Sequence, residues 1–380
     1  MKTAIAAFAL SLLCAAPAPA SAQTTLKVRT SCATQPRCYT TIVGALEAAE
    51  ADRSGRWVTI EVGAGSFREK PTIRRARTRL IGRGVGQTRL HFDAVAEHSA
   101  HYDRGRWGTA GSATLTVAAD EVLVSGMTIE NDFDYLANDA LSEGDPRKIS
   151  NSQAVAVTLD TASDRVLFDR VAMLGYQDTL FTRGKRAIVR NSLIAGNVDF
   201  IFGNGMLLIE QSEVRTRRRG AATDGEPFAS FVTAPSTNQQ QPVGIVIYRS
   251  RLTRERGVAD GSVALGRPWH PTTVFADGRY ADPAAIGQAV FIDCHMDAHI
   301  HPDGWASMPG TARDGTKTAI FRPQDSRFAE IRSRGPGARR RDIAIAWKGA
   351  PDIGSVRRTM AEGVLPRWDL NPRAGKAPRG

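Results

Sequence analysis

VLFDRVAML at Val166 to Leu174 and AIVRNSLIA at Ala187 to Ala195 follow one plan: an apolar, β-branched opening, a polar turn, and a second short alternating stretch. The plan recurs upstream as VLVSGMTI from Val122, and downstream as LLIEQSEV from Leu207, IVIYRSRL from Ile245 and VFIDCHMD from Val290. Successive starts lie 44, 21, 20, 38 and 45 residues apart, close to one or two units of about twenty. No heptad or helical period fits this spacing, and strands joined by helices need longer crossover units. Short strands, each hydrogen-bonded to its counterpart one turn above and below, do fit. The expected fold class is therefore all-β: a right-handed parallel β-helix whose inward Val, Ile and Leu stack into one continuous core. The alternative is an antiparallel β-sandwich with similar strands.

The flanks suit a closed solenoid. TTIVGALEAAE at Thr40 to Glu50 predicts a short capping helix with Ile42, Val43, Leu46 and Ala49 on its apolar face. WVTIEVGAGSF from Trp57 reads as a strand and turn. An elongated repeat also reconciles 380 residues with a single core, since compact cores stop growing near about 250–300 residues. The last ten residues, NPRAGKAPRG, lack a hydrophobic period and predict a flexible tail at 371–380.

At the N-terminus, Lys2 precedes an apolar run from Ala4 to Ala16, and Ala20-Ser21-Ala22 supplies small residues for cleavage before Gln23. Residues 1–22 are expected to be a signal peptide, leaving 23–370 as the catalytic domain and a secreted or periplasmic location. Leu13 before Cys14 departs from a lipoprotein processing site. No later stretch approaches the roughly 18 apolar residues of a spanning helix, so no integral membrane association is expected.

Hydrophobic residues at 42% and charged residues at 23% exclude a disordered chain. The formal charge of +11, or +10 once Lys2 leaves with the leader, favours a polyanionic partner. Export argues against nucleic acid, and Arg339 to Arg341 read as solvated surface. Anionic lipid and acidic polysaccharide remain open as partners, and a monomer is expected. Of the remaining cysteines, Cys32 and Cys38 are close enough to close a small loop and Cys294 would be a buried thiol, other pairings staying open.

Asp178 lies twelve residues after Val166, and Asp199 twelve after Ala187. Equivalent positions on adjacent coils project from one face at a strand spacing of about 4.8 Å, so the two carboxylates are expected to meet. Neighbouring carboxyl groups resist ionising together, and one proton stays on the pair. The arrangement then supplies an acid beside an anion.

The neighbouring residues are more specific. GYQDTLF at Gly175 to Phe181, GNVDFIFGNG at Gly196 to Gly205 and LGRPWHPTT at Leu265 to Thr273 resemble the signatures of the pectinesterase, or pectin methylesterase, family. TTI at Thr40, GTAGSAT at Gly108, TAPST at Thr233 and GPGA at Gly335 extend the resemblance through most of the chain. It implies a right-handed parallel β-helix that removes methyl esters from polygalacturonate. Residue by residue, it implies Asp199 as nucleophile, Asp178 as acid and then base, Gln177 as oxyanion donor assisted by Gln153, and Arg267 holding Asp199. It further implies a sugar surface at Trp269 and groove contacts from Thr109, Phe202, Thr272 and Arg219. The stretch around Arg219 departs from the family pattern, with Ser230-Phe231 where Gly-Tyr is common. No cofactor and no metal is expected. The implied partner is methylated polygalacturonate.

Two other readings compete. Carboxylates about 5–5.5 Å apart also suit a retaining glycosidase on an acidic polysaccharide, and a noncatalytic polysaccharide-binding β-helix would explain charge and fold alone. A serine esterase is disfavoured because no G-x-S-x-G occurs. His295, His299 and His301 are assigned turn or surface roles rather than a metal site. Gly82, Gly84 and Gly86 are read as turns into the first coils rather than a phosphate loop.

Overall fold

The computed structural model describes residues 24–33, 35–102, 108–221, 223, 225–338 and 349–361. The expected leader at 1–22 and tail at 371–380 lie outside these residues. The described chain winds into a right-handed parallel β-helix. The quoted repeats are its rungs: Val122 pairs with Val166, Val166 with Ala187, Ala187 with Leu207, and Leu207 with Ile245.

The last repeat is displaced by one residue. Ile245 pairs with Ala289, and Val290 sits opposite Val246. A one-residue slip exchanges the faces of a strand, so Ala289 and Phe291 enter the core while Val290 points outward. Three further rungs escape the sequence pattern, at Thr24–Val28, Thr78–Ile81 and Arg327–Ile331.

Inside, Ile60, Leu80, Val124, Phe168, Val189, Ile209, Ile247 and Phe291 stand in one file, paired coil to coil and fully buried. Each side chain covers the one below, so the core grows with the number of coils rather than with a radius. The polar residue in each repeat makes a corner. Gly126, Arg170, Asn191, Gln211, Arg249, Asp293 and Arg332 all adopt the left-handed conformation, uncommon for non-glycine residues. Serines after several corners accept from the preceding coil's backbone: Ser192 Oγ from Val171 N at 3.1 Å, and Ser250 Oγ from Ser212 N at 3.2 Å.

The N-terminal helix, Ile42–Ala51, is capped by Thr41 Oγ1, which accepts from Gly44 N at 3.1 Å, and by Glu69, which accepts from Ile42 N and Val43 N at 2.9 Å. Its buried face is Ile42, Ala45, Leu46 and Ala49, with Val43 exposed. Ala45 replaces Val43 because three residues after Ile42 lies nearer the buried meridian than one after it. A disulfide joins Cys32 to Cys38, and Cys294 is a buried thiol. The outward Ile188, Leu208, Val246 and Val290 are covered by Val356 and Met360 of the helix Ile353–Ala361, which Arg357 fastens to Glu210 at 2.6 Å. No helix among the described residues is long and apolar enough to cross a membrane.

Candidate active site

A seven-stranded parallel sheet forms one wall of the solenoid, running in chain order from Thr72–Ile73 to Val263–Gly266. Leu180 pairs with Ile201 and Phe181 with Phe202, which places Asp178 and Asp199 at equivalent points two residues before their strands. Both aspartates are left-handed, with φ of 66° and 50°. The turns are fixed by Asp178 N donating to Val198 O at 3.0 Å and Thr179 Oγ1 donating to Ala195 O at 3.0 Å. Gly196 is required here: a Cβ would collide with Phe200 and the Thr179 hydroxyl.

The two carboxylates line one cavity of about 260 Å³ with Thr109, Gln153, Gln177, Phe202, Arg267 and Trp269. Each aspartate is only 7% exposed. Arg267 arrives from the end of the sheet's last strand, its N–H donating to Thr233 O at 3.0 Å. Its Nε donates to Asp199 Oδ1 at 2.8 Å and its Nη2 to Oδ2 at 2.6 Å, a two-pronged, charge-assisted pair. Burial opposes the guanidinium charge, but Asp199 outweighs it and the Arg267 pKa rises. Burial and the neighbouring Asp199 charge push Asp178 well above the usual carboxylate range, against a smaller opposing pull from Arg267. Asp178 is therefore the carboxyl of the pair that is biased toward keeping a proton, whereas Asp199 has a guanidinium.

Gln177 is oriented by a residue that sequence reasoning missed. Ser152 Oγ donates to Gln177 Oε1 at 3.3 Å, which occupies the amide oxygen and leaves its NH₂ available to the cavity. Phe181 stacks on Phe202 at 4.2 Å, and Trp269 tilts 5.7 Å from Phe202. Phe181, Ala234 and Met308 also line the cavity and were not foreseen. The strand alternation carries a signal for the first two, since Phe181, Phe202 and Ala234 are cross-strand partners. Met308 comes from the hairpin Met308–Gly310 and Ala319–Phe321, outside the repeat. Phe231, at the family's departure, lies under Arg267 with the guanidinium 3.8 Å from its ring centre.

Two expected contacts lie elsewhere. The Thr272 hydroxyl meets that of Thr311 at 2.9 Å, tying a hairpin to its neighbour. Arg219 donates to Asp139 at 2.9 and 2.8 Å and to Ala229 O at 2.9 Å, so its fork is spent within the protein. Asp139 also accepts from Gly220 N and Ala221 N, which pins this loop. Of the histidines, His295 is exposed, whereas His299 lies in a turn as expected but is fully buried rather than at the surface. Its turn packs against the neighbouring strand, with Val263 N donating to His299 O at 3.0 Å and Ile300 bridged to Val263. Among the described residues no three His, Cys, Asp or Glu are grouped to hold a metal ion.

A family model described as Pectinesterase matches residues 30–361. Pectinesterase A of Dickeya dadantii is 41% identical over 341 residues, covering 89% of this chain and 91% of that relative. Among solved structures, a pectin methylesterase in complex with a hexasaccharide aligns with a TM-score of 0.78 at 39% identity, covering 85% of this chain and 92% of its own. The pectin methylesterase of Yersinia enterocolitica aligns with a TM-score of 0.74 at 41% identity, covering 80% and 92%.

Proposed function

The chain belongs to the pectinesterase family and is a carboxylic ester hydrolase of that kind, and from that premise we propose that it demethylates polygalacturonate through an aspartate nucleophile and a covalent acyl-enzyme. The observation that carries the reading is the contrast across neighbouring coils: Asp199 gripped by Arg267, and Asp178 buried beside it with its affinity for a proton raised by burial and by the Asp199 charge.

Asp199 Oδ attacks the C6 carbonyl carbon of a methyl galacturonate, and the Gln177 and Gln153 amides donate to the developing oxyanion. Collapse breaks the bond from C6 to the methoxy oxygen. The Asp178 proton goes to that oxygen and methanol leaves, with an anhydride joining Asp199 to the sugar. Asp178, now a carboxylate, removes a proton from water. The resulting hydroxide attacks C6, Asp199 departs as carboxylate, and the new acid yields its proton to solvent. Trp269 and the Phe181–Phe202 stack give the ring a flat apolar wall.

No step consumes a cofactor. We place the working enzyme outside the cytoplasm, the reading that the N-terminal 22 residues support, and expect it to act as a monomer. The test is the purified protein on highly methylated pectin, with methanol, titratable acid and chain length followed together. Equal methanol and acid at constant length is the expected result, new reducing ends would indicate the glycosidase, and binding without product the noncatalytic module. Trapping with hydroxylamine should yield galacturonyl hydroxamate above the enzyme-free rate, and at the expense of acid while methanol release is maintained, if an acyl-enzyme forms.

A further inference from the structure

The corners of the last coils build a second charged feature that shares no residue with the acidic cavity. Arg249, Asp293 and Arg332 occupy successive left-handed corners. Two residues on, Arg251 pairs with His295 and His295 with Arg334, so these side chains form a parallel file one coil apart. Both files line an open groove of about 780 Å³. It runs into a hollow of about 580 Å³ that shares Gln211, Arg249 and Arg251 and reaches back to Asn191.

Arg249, Arg251, His295, Arg332 and Arg334 are all exposed. Their internal neutralisation is incomplete. Asp293 takes a two-pronged pair from Arg332 at 2.8 and 3.1 Å, and Glu213 accepts from Arg251 at 3.1 Å while also holding Arg215. Among the described residues the Arg249 and Arg334 guanidinium groups and the His295 imidazole make no side-chain hydrogen bond. Four guanidinium groups thus share a groove with one carboxylate.

The repeat gives this charge a period. Coils are about 4.8 Å apart, close to the length of one pyranose ring in an extended chain. A linear acidic polysaccharide lying along the solenoid axis would bring carboxylates to the Arg249 and Arg251 rung and, two coils on, to the Arg332 and Arg334 rung, where an arginine fork can take each in two hydrogen bonds, with His295 on the rung between them. We propose that this groove is a noncatalytic binding site for de-esterified oligogalacturonate, a reading that rests on the pectinesterase activity because that activity generates the anion. A methylated stretch is neutral and offers the forks no counter-charge. The groove therefore selects product over substrate and keeps the enzyme on polymer that it has begun to convert.

The test is calorimetric titration of the full protein with unesterified galacturonate hexamer at low salt. R251Q/R334Q should weaken binding by about tenfold, since exposed pairs are individually weak but act here as a row. An equal-charge control on the first coils, R53Q/R74Q, should change it by less than about twofold. Hydrolysis of a short methyl galacturonate ester should be unchanged in R251Q/R334Q. Unaltered hexamer affinity in R251Q/R334Q, an equal loss in the control, or equally tight binding of a sulfated or a neutral hexasaccharide each overturns the proposal. Because binding is read without turnover, an inactive protein with a competent groove refutes the esterase reading alone, and an active one that ignores the hexamer refutes the groove alone.

Discussion

Replacing Arg267 by Met removes the cation that grips Asp199 and keeps an apolar side chain of similar reach over the Phe231 ring. Two short, shielded charge-assisted bonds disappear, and an anion stays behind next to Asp178. Breaking a buried pair from one side costs about 3–5 kcal/mol. The protein can pay part of this as lost stability and part by taking up a second proton on the aspartate pair. A doubly protonated pair has no nucleophile, so methanol release should fall by about a hundredfold or more, 2.7 kcal/mol being two tenfold steps. Lysine at 267 keeps the charge without the fork and should fall between the two. The assay is a double-mutant cycle with Asp199→Asn, read by urea unfolding. Asparagine leaves no anion to neutralise, so R267M should cost about 2 kcal/mol less in that background. Turnover within about threefold of the parent, or a coupling below about 0.5 kcal/mol, would refute the account of Asp199 as a held anion.

Asp178→Asn should abolish the proton shuttle and lower turnover by about 10²–10⁴-fold with folding retained, as methanol release and circular dichroism together would show. In the parent, the protonated form of Asp178 exists below its raised pKa, so the acylation rate should decline on the alkaline side and not at mildly acidic pH, as a stopped-flow pH series would show. Burial holds the His299 imidazole down at about 4. The unfolded chain binds that proton first, so stability is complete above about pH 6.5 and lost between 6.5 and 4, by up to about 3 kcal/mol. His299→Asn should flatten this slope in unfolding titrations. Removing the Cys32–Cys38 bridge, which spans a separation of 6 residues, should cost at most about 2 kcal/mol by loop entropy and leave methanol release intact, because no cleft residue lies on that coil.

The solenoid was legible because its core has a strict local grammar. An inward residue must alternate with an outward one, and a polar corner must follow, so Val166, Ala187 and Leu207 announce their rungs directly. The grammar misplaced Val290 because Ala289 is small enough to read as the end of a loop, although its burial is complete. It also placed the two aspartates, since an offset of twelve from paired residues is preserved in a stack. Arg267 follows no such rule. It reaches Asp199 across 68 residues and the one strand that lies between theirs in the sheet, and only the motif around it made it visible.

Ser152 and Met308 had neither register nor motif to reveal them. One acts through a hydroxyl on a loop, and the other hangs from a hairpin that the solenoid does not require. Arg219 shows the opposite failure, a motif position whose fork has been taken by Asp139. The difference is physical. Backbone register is enforced at every coil by a row of hydrogen bonds, whereas a guanidinium at the end of a long side chain goes to whichever carboxylate lies within reach. Asp139 sits at the C-terminal end of a five-residue helix that also caps the loop's own amides. Asp139→Asn therefore releases the Arg219 fork as well as a loop. If Arg219 has a latent role in holding the acidic product, that variant should lower the inhibition constant for galacturonate oligomers while R219Q in the same background restores it. An inhibition constant that does not move in D139N identifies Arg219 as a tether for its loop and nothing more.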